Sequence, residues 1–410
     1  MGTFTNSMKM MVENRKRREA RKLMNMGLKE AKNSCPTAPT PIPSHWVLPA
    51  IEGNMDYHLE WAKKDIRPDV DAIDAVIRNT GLTCEISNVN QGAMLTQYLL
   101  TPTGNTKFAQ ILKLNREFIG AFNNNSVKLY QDGAYIVVEV PGGSNTVRVA
   151  DILRCDDFTN SQNMTVAIGK AIDGTNVLAD IEKMPHMLIA GTTGSGKSVF
   201  MQGMIVSLLL KHTPNEMELY MVDPKMVEFS YYQRLCMCHV VTEAWDAVNL
   251  LKELCSDMDA RYRQLASAGV RDIDEYNAKH DVPMKRKILF VDELADLMMT
   301  SKASAEDCIV RLAQKARACG IHLVLATQRP TVNVVTGLIK ANISTKVCFA
   351  VPSYRDSMVM LDKAGAENLL GKGDMLYRTG SGIDAIRLQG GFIESKEINN
   401  IVFELLKNQE

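Results

Sequence analysis

A glycine-rich loop that ends in lysine and serine carries the clearest chemical signal in the sequence. It fits the pattern G-x-x-x-x-G-K-[ST] and consists of Gly191, Thr192, Thr193, Gly194, Ser195, Gly196, Lys197 and Ser198, with Val199 next in the chain. The apolar segment 186–190 precedes the loop, and a helical pattern follows it. Glycines let backbone N–H groups turn toward phosphate oxygens, and a helix N-terminus adds partial positive charge. The motif therefore predicts a nucleotide site in which Lys197 reaches the β and γ phosphates and the Ser198 hydroxyl binds Mg²⁺.

Two acidic residues follow a second apolar segment, 287–291, at the end where ligands of open α/β sheets bind. One carboxylate there can hold magnesium, directly or through water, while its neighbour activates a water molecule for attack on the γ-phosphate. We assign Asp292 to the metal and Glu293 to water activation. Together with the phosphate loop, this pair predicts hydrolysis of a nucleoside triphosphate. A protein that binds nucleotide without hydrolysing it would be expected to lack one of the residues needed for hydrolysis. Lys197, Ser198, Asp292 and Glu293 are all present, which argues against that alternative.

The composition is that of an ordinary globular protein and limits the other possibilities. The 410 residues include 47 basic and 47 acidic side chains, so the formal net charge is zero, and 46% are hydrophobic. These values exclude a wholly disordered, collagenous or disulfide-scaffold protein and a uniformly basic coat, but not a locally basic channel. No apolar run approaches the length of a membrane span, and no apolar signal segment opens the chain. Nine scattered cysteines, an odd number, favour a reducing cytoplasm.

The first 45 residues differ from the rest of the chain and are predicted to form a basic tail and a linker. Residues 1–34 hold nine basic and three acidic side chains, and residues 36–43 hold four prolines. Prolines fix φ and lack an N–H donor, so the second stretch predicts an extended linker. The tail is either a solvated arm or an arm that binds a protein or an anionic partner, such as DNA phosphates or lipid.

The remaining chain is predicted to form two domains of different pattern. Residues 46–165 indicate a small α+β domain, with helices at 69–80 and 106–122 and strands at 82–88, 95–101, 126–130 and 134–140. Residues 166–410 alternate apolar runs with helical patterns, which is typical of a parallel α/β sheet. The predicted strands lie at 187–190, 218–222, 239–242, 287–291, 322–326 and 346–350. The predicted helices lie at 197–211, 243–268, 304–319 and 355–361, followed by a hairpin of 373–378 with 384–389 and a helix at 395–408.

Several longer segments resemble the FtsK/SpoIIIE family of DNA translocases. They are residues 184–198, 222–225, 291–300, 312–330, 336–343 and 370–377. The resemblance extends from about residue 80 to 395, and 80–150 is similar to the small domain that precedes the motor in that family. It implies an α/β fold with a RecA-like P-loop motor behind a small α+β domain, and ATP and Mg²⁺ as cofactors. It also implies a homo-hexameric ring that moves along double-stranded DNA while hydrolysing ATP at its subunit interfaces.

The same resemblance implies roles for residues outside the phosphate loop. Gln328 matches a polar sensor that reports the γ-phosphate to loops facing the DNA. Arg317 matches an arginine finger that reaches the nucleotide of the neighbouring subunit, where its charge stabilises the transition state. Arg311, on the same predicted helix, is the second candidate for that role. A plain surface arginine is the alternative interpretation of Arg317.

Contacts with DNA are expected to involve phosphates, because a motor must grip any sequence. Arg329 matches a basic position facing the pore of the ring. Arg355 lies one place along from positions where the family carries basic residues and this chain does not, and Lys340 and Lys346 are further candidates. Solvent-exposed cations without a DNA role are the alternative interpretation of all four residues.

The family resemblance leaves the task of the motor open. Members of the family often carry N-terminal membrane helices and a C-terminal winged helix, and this sequence predicts a stand-alone form without either. One alternative is a coupling or packaging pump that moves DNA for a mobile element. A second is a related P-loop ATPase that moves protein in a secretion system. Stimulation of ATP hydrolysis by duplex DNA would separate the second from the translocases.

Overall fold

The computed structural model describes residues 64–124, 126–142, 146–380 and 384–407. The predicted basic tail and proline-rich linker, residues 1–45, lie outside the described residues. Two β-sheets organise the described chain, one of four strands and one of ten. No helix within these described ranges is both long enough and apolar enough to cross a membrane.

The four-stranded sheet and its helices come first in the described chain. Their elements are α1 (Arg67–Asn79), β1 (Cys84–Gln91), β2 (Leu95–Pro102), α2 (Phe108–Leu112), α3 (Asn115–Phe122), β3 (Lys128–Asp132) and β4 (Tyr135–Pro141). The strand order is β1-β2-β4-β3, and each neighbouring pair is antiparallel. Ile73 of α1 and Phe118 of α3 pack with Tyr98 of β2 in one buried core. The predicted small α+β domain is confirmed in its fold class.

Helices α2 and α3 replace the single helix predicted at 106–122. The helical conformation is interrupted at Lys113 and Leu114, and α3 begins at the next residue. The apolar spacing does not reveal this break, because Ile111, Leu114 and Phe118 stand at helical intervals and are all buried.

Two short helices, α4 (Val149–Leu153) and α5 (Asp156–Thr159), connect the two sheets along the chain. Sequence reasoning placed them in the small domain, whose end it set at residue 165. Their apolar side chains Val149, Ile152 and Phe158 instead pack in the core of the ten-stranded sheet. The exact division of the chain at 45 and 165 stays a prediction.

The ten-stranded sheet forms the larger part of the described chain. Its strands are β5 (Thr165–Ala171), β6 (Asn176–Asp180), β7 (His186–Ala190), β8 (Met217–Val222), β9 (Cys238–Val241), β10 (Arg286–Val291), β11 (Ile321–Thr327), β12 (Thr345–Phe349), β13 (Asp374–Arg378) and β14 (Ile386–Gly390). The helices among them are α6 (Lys197–Leu209), α7 (Ala244–Ala268), α8 (Ile273–Asn277), α9 (Leu294–Lys315), α10 (Gly337–Asn342), α11 (Tyr354–Leu361) and α12 (Ser395–Lys407). The predicted strands and the closing hairpin are confirmed, with ends displaced by a few residues.

The strand order of this sheet is β6-β5-β14-β13-β12-β7-β11-β10-β8-β9. The strands from β12 to β9 are parallel, and the other four are added in antiparallel fashion. Alternate residues of β7 enter different cores, since Met187 and Ile189 pack on one face and Leu188 and Ala190 on the other. The parallel strands are therefore buried on both faces, which explains their continuous apolar sequences.

The hairpin of β5 and β6 is not predicted by the sequence pattern, and helix α9 begins ten residues before its predicted start. The helix begins directly after Glu293, whose carboxylate accepts a hydrogen bond from Ala295 N and caps it. Its conformation is broken at Ser301, where φ is −158°. That break separates the first turns from the regular pattern at 304–319, so only the second part was recognised.

Candidate nucleotide site

The glycine-rich loop joins β7 to α6 at the carboxyl end of the central parallel strands. Gly194 and Gly196 have φ of +78° and +110°, a region that side chains with a Cβ adopt poorly. A Cβ on Gly196 would also lie 2.6 Å from Gly373 N. The hydroxyl of Ser195 is buried and has no hydrogen-bond partner within the described chain. The loop thus leads into a helix N-terminus, where backbone N–H groups bind phosphate, and it carries a polar side chain whose hydrogen bonding is not satisfied by the described chain.

Lys197 and Asp292 face each other inside this cradle. Lys197 Nζ donates to Asp292 Oδ1 at 2.7 Å and to the Asp292 carbonyl oxygen at 2.6 Å, and both side chains are buried. A buried charge is tolerated only when it is paired, so each group neutralises the other. The structure therefore brings together the phosphate-binding lysine and the metal-binding carboxylate predicted from the sequence.

Glu293 bridges the ends of two neighbouring strands, β10 and β11. Its Oε1 accepts the Thr327 hydroxyl at 2.7 Å, and its Oε2 accepts Gln328 N at 3.0 Å. The side chain is buried. Glu293 is thus held at the strand edge by hydrogen bonds that a water molecule bound there would have to replace.

Gln328 contacts the phosphate loop directly. Its side-chain oxygen accepts the Thr193 hydroxyl at 3.1 Å, while Thr192 donates its hydroxyl to the Ala350 carbonyl, also at 3.1 Å. These bonds join the loop to the ends of β11 and β12, the two strands beside β7. A shift of the loop on nucleotide binding would therefore move or break the hydrogen bond to Gln328, the residue that the family resemblance matches to a sensor.

Glu228 and Asp223 also belong to this site, and sequence reasoning assigned no role to either. The Glu228 carboxyl hydrogen-bonds to Ser198; burial raises its pKa above the ordinary value, although that hydrogen bond opposes the rise. Asp223 directly follows β8 and is buried; its Oδ2 accepts Glu228 N at 2.8 Å and Phe229 N at 2.9 Å. The signal that could have identified Asp223 was its position after a predicted strand next to β10.

These residues fit ATP and Mg²⁺. The loop N–H groups and Lys197 would hold the phosphates, and the Ser198 hydroxyl with Asp292 would hold the metal. Magnesium usually takes one or two carboxylates and completes its shell with water and substrate phosphates, so one hydroxyl and one carboxylate would be a sufficient contribution from the protein.

The two arginine-finger candidates lie away from this loop. Arg317 precedes β11 and is exposed, and its Nε donates to the Glu182 carbonyl at 3.2 Å. The loop follows the opposite end of β7, which runs parallel to β11. Arg317 therefore lies at the end of the sheet opposite its own phosphate loop. Arg311 forms an ion pair with Asp259 at 2.7 Å.

The four DNA-binding candidates differ in exposure. Arg329 and Arg355 are exposed. Lys340 forms an ion pair with Asp362 at 2.7 Å. Lys346 is only 5% exposed, and its ammonium also pairs with Asp362, at 3.3 Å. Burial lowers the pKa of Lys346, although Asp362 opposes that effect. The burial of Lys346 and its ion pair with Asp362 do not support it as a DNA contact.

Comparison with known proteins agrees with this fold. The model of the FtsK/SpoIIIE family matches residues 148–332, and the model of the FtsK alpha domain matches residues 48–142. DNA translocase FtsK of Caldanaerobacter subterraneus is 40% identical over 369 residues, which cover 88% of this chain and 51% of that protein. DNA translocase SftA of Bacillus subtilis is 41% identical over 342 residues, 80% of this chain and 36% of that protein. The chain thus spans about half or less of these curated relatives.

Solved structures share the fold at lower sequence identity. The conjugation coupling protein TcpA of pCW3, solved with ATPγS, superposes with a TM-score of 0.61 at 24% identity, covering 83% of this chain and 99% of that one. The type VII secretion ATPase EccC of Thermomonospora curvata gives a TM-score of 0.54 at 21% identity over 63% of this chain and 33% of that one. These likenesses support the P-loop ATPase fold alone. With both family models matching along most of the described chain and relatives at about 40% identity, this chain belongs to the FtsK/SpoIIIE family.

Proposed function

We propose that the chain is an ATP-driven translocase of double-stranded DNA that acts in the cytoplasm as a homo-hexameric ring. The observation that carries the proposal is the convergence of the phosphate loop, Lys197, Asp292, Glu293 and Gln328 at one edge of the parallel sheet. The named relatives are DNA translocases, which supports DNA as the partner.

In ATP hydrolysis, the residues at the carboxyl end of the parallel strands have different roles. Lys197 and the loop N–H groups bind the β and γ phosphates, while Ser198 and Asp292 would hold Mg²⁺. Once bound there, the ion would neutralise charge that develops on the phosphate oxygens. Glu293 orients the attacking water and takes its proton, for which its carboxylate must leave the Thr327 hydroxyl and Gln328 N. The same movement breaks the hydrogen bond from Gln328 N to Glu293. Binding of the nucleotide and the attacking water would therefore change the conformation of the loop that carries Arg329.

The ring supplies the residue that a single subunit lacks. Arg317 is exposed at the sheet edge remote from its own phosphate loop, and we assign it to the nucleotide of the neighbouring subunit. Hydrolysis then takes place at subunit interfaces and depends on assembly. Arg311 is the weaker candidate, because an ion pair with Asp259 already engages it.

DNA is gripped by exposed cations, principally Arg329 and Arg355. Arg329 directly follows Gln328, so a cation that touches DNA is one residue away from a side chain that touches the phosphate loop. Lys340 contributes only if DNA displaces its ion pair with Asp362. The basic tail, outside the described residues, is proposed as a second contact with DNA or another anionic or protein partner.

The proposed function is tested by measuring ATPase activity with and without duplex DNA, together with the mass of the assembly. We expect duplex DNA to raise the rate and the assembly to have six times the mass of one chain. A DNA pump that serves a coupling or packaging machine would also be stimulated. Absence of stimulation at every salt concentration would contradict a DNA motor and favour the protein-moving alternative.

Changing Arg329 and Arg355 together to alanine should uncouple DNA from ATP hydrolysis. Each phosphate contact contributes about −0.9 to the slope of log affinity against log salt, so the loss of two contacts should flatten that slope by about 1.8. Basal hydrolysis should remain while stimulation by duplex DNA falls, equally for unrelated sequences. The measurements are filter binding across a salt series and ATPase rates. Changing the exposed Arg263 and Arg271 of the α7 region provides the control, and an equal loss there would contradict the assignment.

A further inference from the structure

The segment 370–377, which stood out in the sequence, acquires no role from the proposed function, yet part of it lies against the phosphate loop. Gly373 N donates to the Ser195 carbonyl at 2.7 Å, and a Cβ on Gly196 would meet Gly373. Gly371, Lys372 and Gly373 all have positive φ, of +78°, +51° and +95°. Consecutive residues in this region need surrounding structure to hold them. We refer to residues 370–374 as the bracing loop.

Asp374 holds the bracing loop in place. Its Oδ2 accepts Leu370 N at 2.7 Å, which closes the loop on itself. Both carboxylate oxygens also accept from the guanidinium of Arg387 on β14, Oδ1 from Nε at 2.9 Å and Oδ2 from Nη2 at 2.7 Å. This two-point geometry fixes direction as well as distance. The conformation of the bracing loop therefore depends on Arg387.

The third contact of Arg387 reaches the small domain. Its Nη1 donates to Glu139 Oε2, on the central strand β4 of the four-stranded sheet. The other oxygen of Glu139 accepts from Gln97 Nε2 and from the Tyr130 hydroxyl, each at 2.8 Å. Burial acts to raise the pKa of Glu139, but Arg387 and these hydrogen bonds hold it below the ordinary value. The carboxylate is thus charged, buried and anchored to strands on both sides.

One arginine consequently neutralises two buried carboxylates that belong to different domains. A buried charge that loses its ion-pair partner is strongly destabilising, so the stability of both carboxylates depends on the position of the guanidinium. A second contact of the small domain runs to the same region, since Lys128 Nζ donates to the Asn368 carbonyl. The small domain is therefore joined to the phosphate loop through Glu139, Arg387, Asp374 and Gly373 in an unbroken series of direct contacts.

We infer that Arg387 is a positioning residue that couples nucleotide binding at the phosphate loop to docking of the small domain. Displacement of the small domain shifts Arg387, relaxes the bracing loop and withdraws its support from Ser195. By reciprocity, bound nucleotide tightens the docking of the small domain. The inference rests on the proposed nucleotide site and adds to it a route by which one domain of the chain senses the state of the other.

The test compares Arg387→Met with Arg148→Met in the full chain. Arg148 is the matched control, because its side chain is also 16% exposed and pairs with Glu394 at 3.0 Å, remote in sequence from the bracing loop. Titration with a fluorescent ATP analogue should show affinity about tenfold weaker for Arg387→Met, within the range of allosteric couplings. Arg148→Met should stay within about twofold of the parent chain on that scale. Thermal unfolding without nucleotide reports the loss of stability in each variant.

A second variant separates coupling from damage to the motor. Glu139→Gln removes the negative charge, and with it the ion pair, from the contact in the small domain and leaves the bond between Arg387 and Asp374 intact. It too should weaken nucleotide binding, by about fivefold. In the parent chain, nucleotide should slow hydrogen exchange of the amides of β4, and in Glu139→Gln this protection should be lost. Arg387→Lys, which keeps the charge without the two-point geometry, replaces Arg387→Met if that variant does not fold.

Two results would overturn the inference. One is equal nucleotide affinity in Arg387→Met and Arg148→Met, and the other is undiminished protection of β4 by nucleotide in Glu139→Gln. Failure of the parent chain to bind the ATP analogue would instead contradict the proposed function. The two failures are therefore distinguishable in one set of titrations.

Discussion

Glu293→Gln should bind ATP with nearly the affinity of the parent chain and hydrolyse it at least about a hundredfold more slowly. Removal of a general base typically costs 10²–10⁴-fold in rate, about the range expected here. The amide oxygen can still accept from the Thr327 hydroxyl or Gln328 N, so the strand edge retains much of its hydrogen bonding. The measurements are steady-state phosphate release and equilibrium binding of the same nucleotide.

Glu306→Gln is the matched control for this experiment. Glu306 lies on α9, the helix that Glu293 caps, and accepts the Thr336 hydroxyl at 2.6 Å, so it makes the same kind of bond away from the phosphate loop. Its rate should equal that of the parent chain. Lys197→Ala should lose hydrolysis by a different route, through loss of nucleotide binding. Wild-type turnover in Glu293→Gln or Lys197→Ala would show that the site has been assigned to the wrong residues.

The central strands could be predicted from the sequence because each one is a short, almost wholly apolar run with polar residues at its carboxyl end. That pattern follows directly from burial on both faces of a parallel sheet. The same logic located Asp292 and Glu293, since ligands gather where parallel strands end. Gln328 was identified by the family resemblance alone. The phosphate loop could also be predicted from the sequence, because the residues that define it are eight consecutive ones.

Features that depend on tertiary contacts could not be predicted in this way. Arg387 and Glu139 are 248 residues apart, and only the docking of two sheets brings them together. Glu228 lies next to Ser198 because Asp223 accepts a hydrogen bond from Glu228 N and so turns the segment between them back toward the phosphate loop. No local sequence pattern predicts that turn. Lys346 is a candidate DNA contact on the sequence alone, because no local pattern shows how deeply a lysine in a strand is buried. In the fold it lies on β12, between β7 and β13, and is only 5% exposed.

Arg317→Ala should bind ATP normally and hydrolyse it about a thousandfold more slowly or worse, as expected when an arginine finger is lost. Binding is preserved because Arg317 lies remote from its own phosphate loop and contacts the Glu182 carbonyl there. Arg311→Ala is the matched control. It removes a neighbouring arginine whose charge is already paired with Asp259, so its rate should change little. If Arg311→Ala lost activity and Arg317→Ala did not, the finger would be Arg311.

Mixed assemblies distinguish a residue that acts on the neighbouring subunit from one that merely stabilises its own. When Arg317→Ala subunits are added to the parent protein in increasing proportion, each mutant subunit should silence the intact site beside it. A double variant, Arg317→Ala with Lys197→Ala, should then silence two sites in one ring, its own and its neighbour's. Conversely, a mixture of Arg317→Ala with Lys197→Ala chains should recover some activity, wherever an intact phosphate loop meets an intact arginine. Recovery of activity in that mixture requires a site shared between chains, whereas two wholly inactive mutants that stay inactive together would place Arg317 outside the neighbouring site.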